Sequence, residues 1–146
     1  MTTYGKDFKK IKRWVENKGF DLVVSNDGDY VSFVDKVVVV NKRSSKENMI
    51  FSLLHECGHI CQRQKMRNYF NDFKHQLLGN DDRRKSRSYS YRVSVLEEEF
   101  DAWKRGRRLA KRLKINIDED NYQRYKSRCI VTYAEWLTSR DWYWQC

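Results

Sequence analysis

Proline is absent from this chain of 146 residues, and glycine occurs only six times. Without proline the commonest helix breaker is missing, which suits a helix-rich fold and removes a usual marker of linkers. No run of about twenty apolar residues occurs, so no membrane-spanning helix is expected. The opening Met1-Thr2-Thr3-Tyr4-Gly5-Lys6 has no apolar segment of the secretory type, and no signal peptide is expected. Cys57, Cys61, Cys129 and Cys146 show no C-x-x-C spacing, so a zinc ribbon is not indicated. Cys57 and Cys61 lie four apart on one presumed helix and read as small reduced core residues, with a reducing cytoplasm the expected compartment. Acid is short relative to base: 30 Lys and Arg stand against 20 Asp and Glu, a formal charge of +10. Such a field attracts acidic partners, nucleic acid included, but by itself only non-specifically. The length suits one domain, residues 1–146, with a single modest core.

Histidine is scarce too, with three in all, yet two of them stand in His55-Glu56-Cys57-Gly58-His59. On a helix, positions i and i+4 share a face, so both rings can reach one metal ion. Glu56, on an adjoining face, can reach a water in the metal's open position. This H-E-x-x-H spacing is the arrangement of zinc peptidases: two neutral imidazole ligands and a general base.

Phe8, Ile11 and Val15 recur at helical spacing beside Trp14, predicting an amphipathic helix over about 6–18 that ends near Gly19. Phe20–Ser25 and Tyr30–Val34 read as strands joined by Asn26-Asp27-Gly28-Asp29, a hairpin signal, and Val37–Val40 as a third strand after a tight turn. A three-stranded antiparallel meander is expected. Ser44 with Glu47 forms a capping box for the next helix, with Ser45 the alternative cap. That helix presents Ile50, Leu53, Leu54, Cys57 and Ile60 on one side and Ser52, His55, Glu56 and His59 on the other. Periodicity fades over 67–91, a basic stretch containing Arg83–Arg87 that reads as a mobile loop or lid. A long helix follows from Val93 to Lys114. A last one, capped by Asp118 or Asn116, carries Tyr122, Tyr125, Cys129, Ile130, Tyr133 and Trp136. The tail Trp142-Tyr143-Trp144 is expected to pack on the core.

A catalytic zinc site generally uses three protein ligands. Glu97, Glu98, Glu99, Asp101 and His75 are the candidates. Val95, Glu99, Ala102, Gly106, Leu109 and Leu113 follow spacings of four, three, four, three and four, one small or apolar stripe with Leu96, Phe100, Trp103 and Ala110 beside it. Glu99 is the acid inside that stripe, where a carboxylate needs a partner. Glu97 and Glu98 fall on wetter faces and suit the helix dipole, opposite the run of bases from Lys104 to Lys114. Ala102 and Gly106 would allow close approach to the H-E-x-x-H helix. Glu97, Glu98 and His75 stay open as alternatives.

His55-Glu56-x-x-His59 followed by Glu99-Phe100-x-Ala102 resembles the gluzincin metallopeptidases, whose third ligand often lies in E-F-x-A-D or E-x-x-A. The nearest small relatives in this respect are ImmA/IrrE-type proteins and minigluzincins, including short proteins of phages and mobile elements. The resemblance covers about residues 30–110. It implies a compact α+β zincin-like domain: a small antiparallel three-stranded sheet packed on the H-E-x-x-H helix and a glutamate helix, with N- and C-terminal helices. It also implies Zn2+ on His55, His59 and Glu99, and Glu56 as catalytic base for hydrolysis of a protein or peptide substrate. The family position four after the glutamate is often Asp or Asn, and here it is Trp103; in the other register Glu97 pairs with Asp101. Metzincins continue the motif with x-x-G-x-x-H, absent here. SprT-like proteases use a later histidine, for which His75 lacks the glycine-flanked context. A Tyr, Arg or His from the 67–91 loop or from the last helix is expected to stabilise the oxyanion, with Tyr89, Tyr91 and His75 as candidates. Two further classes compete: a regulatory or DNA-associated metal module with little general proteolysis, and a structural zinc site, which would need a fourth protein ligand.

Overall fold

The computed structural model describes residues 2–64 and 88–139. Helix α1 spans Thr3–Asn17 and begins where Thr2 accepts the Gly5 N–H at 3.2 Å. Ile11 and Val15 are wholly buried, and Gly19, at φ 85°, turns the chain out of the helix.

Three strands follow: β1 at Asp21–Ser25, β2 at Tyr30–Ser32 and β3 at Val37–Asn41. They do not form the expected antiparallel meander. The order is β1-β3-β2, with β1 parallel to β3 and only β2 antiparallel to it. Of the two expected hairpins, the β2–β3 one exists, closed by Lys36 at φ 55° and by Ser32 Oγ accepting the Asp35 N–H. At Asn26–Asp29, by contrast, the chain crosses to the far edge of β3, and Asp29 accepts the Asn41 N–H at 2.7 Å, fixing the start of β2 beside the end of β3. Burial explains the order. Val38 and Val40 are fully buried, whereas Val23 and Val24 of β1 are each 42% exposed, so the most apolar strand takes the centre.

Helix α2, Lys46–Gln64, is capped by Ser45, whose hydroxyl accepts the Asn48 N–H at 3.2 Å; the Ser44–Glu47 box does not form. It is buried on nearly every side from Met49 to Gln62, not on one face alone. Val38, Ile50, Leu53, Leu54, Cys57 and Ile60 join Ile11, Val15, Leu109 and Ala110 in the main core.

Helix α3, Tyr89–Arg112, starts at Ser88, so 88–91 of the expected loop belongs to a cap and first turn. The remainder of that loop, with His75 and Arg83–Arg87, lies outside the described residues, as does the Trp142-Tyr143-Trp144 tail. Helix α4, Glu119–Thr138, is capped by Asp118, which accepts the Asn121 N–H at 3.0 Å. At its far end the buried Arg92 donates to the carbonyls of Trp136, Leu137 and Ser139, placing positive charge on a helix C-terminus.

The α2–α3 contact positions the site. A Cβ added at Gly58 would lie 2.8 Å from the Ala102 carbonyl carbon and 3.1 Å from its Cα; at Gly106 it would meet Leu54 C at 2.8 Å. Two glycines, one on each helix, therefore let the backbones touch. The expected α+β class, with terminal helices around a small sheet, is what the chain adopts.

Candidate metal centre

His55 and His59 sit on the same face of α2, their ring centroids 4.7 Å apart. The stripe on α3 brings Glu99 up to them. Glu99 Oε2 is 2.7 Å from His55 Nε2, and Oε1 is 3.2 Å from His59 Nε2. One donor atom from each of the three residues lies within 4.8 Å of the other two, in a group able to hold a metal ion. Glu97 is exposed. Glu98 is buried, which corrects its expected placement on a wet face, but it approaches His59 at Nδ1, 3.7 Å away, on the ring edge opposite Nε2. Of the three neighbouring glutamates, Glu99 alone reaches the Nε2 side of both rings.

The electrostatics favour a cation at this point. Burial, the largest influence on each ring, opposes imidazole protonation, yet Glu99 and Glu56 outweigh it and raise His55 to about 9. His59 is likewise raised well above its ordinary value, by Glu99 first and then Glu98. Burial would raise the Glu99 carboxyl, but the two rings hold it well below the usual carboxylate range. Two imidazole nitrogens and a buried carboxylate converge here, and N and O donors of this kind suit zinc.

Each ring is held from behind by a different device. His55 stacks on Trp103, with centroids 4.3 Å apart and planes 12° from parallel. His59 Nδ1 lies 2.9 Å from Gln62 Oε1. Glu56, 6% exposed, has Oε1 3.3 Å from His55 Nδ1. Above them opens a cleft of about 260 Å³, walled by the β2 edge (Tyr30, Val31, Phe33), by Asp29 and Ser52, and by Tyr125, Cys129 and Tyr133 of α4. Ser52 and Tyr125 share a hydroxyl–hydroxyl hydrogen bond. Burial first, and then the nearby Glu56 charge, push the Asp29 carboxyl up despite the Asn41 N–H.

Residues 20–85 match the family model of the IrrE N-terminal-like domain, a peptidase family. The ImmA/IrrE-type resemblance is shown over that stretch. No curated protein and no solved structure matches the chain. The matched segment runs from β1 through the two histidines and ends before α3, so the IrrE-like match covers His55, Glu56 and His59 while Glu99 enters the site by geometry alone.

Neither tyrosine expected to face the reaction does so. Tyr89 is 76% exposed, and Tyr91 is buried against Tyr133 and Trp136. The cleft draws Tyr125 and Tyr133 from α4, the last helix, which the sequence offers as one of two sources of such a group without singling out a residue. Gln62 gave a fainter signal: it stands three residues past His59, a spacing that brings side chains together on a helix.

Proposed function

We propose that this chain is a zinc-dependent peptidase that hydrolyses peptide bonds in a protein or peptide substrate. The observation that carries this is the convergence of His55, His59 and Glu99 donor atoms at the floor of a cleft with Glu56 beside them. The site would take a zinc ion through those three side chains; when bound, it supplies Lewis-acid polarisation of the scissile carbonyl and eases ionisation of water. Glu56 would accept the proton of the attacking water and pass it to the leaving amine. Tyr125 would steady charge on the carbonyl oxygen, its hydroxyl already set by Ser52. Phe33, Trp103 and Tyr133 line the cleft and limit access of bulk water. With three protein ligands among the described residues, the set matches catalytic rather than structural zinc.

Glu56→Gln tests the chemistry. The variant should bind zinc as the parent does and lose about 10²–10⁴-fold in the rate of peptide cleavage, measured on an unstructured protein or a peptide library. Parental activity in that variant would sink the mechanism.

A second function, action on a single regulatory protein near nucleic acid, draws support from the charge of +10 and from exposed Lys104, Arg108 and Lys111 on α3. Broad protease assays would then read nothing. Binding to duplex DNA should fall steeply as salt rises; no binding at low salt would remove this version. Among the described residues no helix is long and apolar enough to cross a membrane. The thiols of Cys57 and Cys61 are free and buried, which supports a reducing cytoplasm as the place of action.

A further inference from the structure

Gln62 is 1% exposed, near the end of α2, and both ends of its amide make polar contacts. Its Nε2 donates to the Glu98 carbonyl at 2.8 Å and to Asp101 Oδ2 at 2.9 Å. Both of those atoms can only accept. Turning the amide over would set its oxygen against a carbonyl and a carboxylate, so Oε1 must be the atom facing His59 Nδ1, 2.9 Å away. An amide oxygen accepts, so Nδ1 of His59 bears a proton. Nε2 is left to face Glu99 Oε1 at 3.2 Å, on the side where the His55 and Glu99 donors converge. Asp101 is in turn fixed by Arg105, whose Nε donates to Oδ2 at 2.7 Å.

We propose that Gln62, anchored by Asp101 and Arg105, is a positioning residue for the metal ligand His59. The proposal rests on the metal-binding part of the function given above. Arg105, Asp101 and the Glu98 carbonyl all belong to α3, the helix that carries Glu99. The relay thus sets the ring of one ligand from the same helix that delivers another. It fixes the tautomer, the ring rotation and the α2–α3 spacing together. Partners of this kind behind a ligand imidazole are worth about 10–100-fold in metal affinity.

The experiment measures zinc affinity of the full chain by chelator competition, together with nitrogen-15 spectra of the His59 ring in the zinc-loaded protein. The expected result for Gln62→Leu is a loss of about 10–100-fold in affinity and a fast-exchanging His59 Nδ1 proton that is protected in the parent. Asp101→Asn, at a partly exposed side chain, should weaken zinc binding in the same direction and by less. The proposal is overturned if both variants bind zinc within twofold of the parent, or if Nδ1 of His59 is unprotonated in the loaded parent. Absence of zinc binding by the parent would overturn the metal-centre assignment itself, a result distinct from parental affinity in the variants. Should Gln62→Leu not fold, the Asp101→Asn affinity and the parent's His59 spectrum decide.

Discussion

Gly58 lies inside the H-E-x-x-H motif at a position that chemistry leaves free, and its replacement by alanine separates packing from ligation. In an unhindered helix the change from Gly to Ala stabilises by about 1 kcal/mol. Here the new Cβ would sit 2.8 Å from Ala102 C and 3.1 Å from its Cα, closer still to the carbonyl oxygen. Carbon–carbon contacts are comfortable at about 3.5–4.0 Å, so α2 and α3 must part by an amount on the order of 1 Å. Both obstacles are backbone, and no side chain can swing aside. Overpacking of this kind costs about 1–3 kcal/mol and at times more, which outweighs the propensity gain. For a chain of this size a net loss of up to about 2 kcal/mol corresponds to a fall of up to about 8 °C in Tm. The metal site should suffer more than the fold, because Zn–ligand distances hold only within about 0.2 Å and Glu99 rides on the displaced helix. A drop of at least about tenfold in zinc affinity is therefore expected. Gly106→Ala, which meets Leu54 C at 2.8 Å and His55 N at 3.2 Å, should do the same from the other helix. Calorimetry of the metal-free protein and chelator competition of the loaded one provide the two numbers. If Gly58→Ala melts at or above the parental temperature and keeps parental affinity, the close approach of these helices does not set the site.

Removal of metal by a chelator should lower Tm, since a ligand present at about 100 times its Kd contributes about 2.7 kcal/mol; a scan with and without chelator reads it. That difference should vanish in Glu99→Ala and persist in Glu97→Ala, because only Glu99 faces both Nε2 atoms; the opposite pattern would transfer the ligand role to Glu97. Trp103→Phe should keep most of the zinc affinity by preserving a ring against His55, whereas Trp103→Ala should lose affinity and about 3–5 kcal/mol of stability. Equal affinity in Phe and Ala variants would show that stacking does not orient the imidazole.

Much of this site was legible before any fold was known. H-E-x-x-H needs only helical periodicity to put His55 and His59 on one face, and Glu99 needs only the stripe of small residues around it to be turned toward them. The sheet order was not legible. Asp27-Gly28 favours a tight turn, and the local signal for a hairpin is sound, but it carries no information on which strand is buried deepest. Val37–Val40 took the centre on that account, and the chain crossed over to supply a second neighbour. Glu98 was misplaced for a related reason: on α3 alone it groups with Arg105 and Arg112, a wet face, and only the end of α2, with Gln62 and His59, covers it. The last helix was legible as a source of a group facing the reaction, but Tyr125 and Tyr133 were not legible individually, since a cleft wall and a core share the same helical spacing.

Trp103 bears on how the two imidazoles are held. Four residues after the metal-site glutamate the resemblance calls for Asp or Asn, a polar group to steady a ligand. An indole cannot do that work through an oxygen, and its Nε1 finds no partner among the described residues. What it offers is a flat face, laid within 12° of parallel against His55. The polar role is then needed at the other ring, and Asp101 takes it, two residues after Glu99 instead of four. Through Gln62 it reaches His59 from the opposite side of the pair. On a helix those two positions point about 160° apart, so one carboxylate could not have served in both places. Substituting Trp103 with Asn should therefore fail to restore the family pattern: it would leave a cavity beside His55 and put an amide where Phe51, Tyr122 and Tyr125 pack. Zinc affinity above the parent's in Trp103→Asn would show instead that the indole is a tolerated defect.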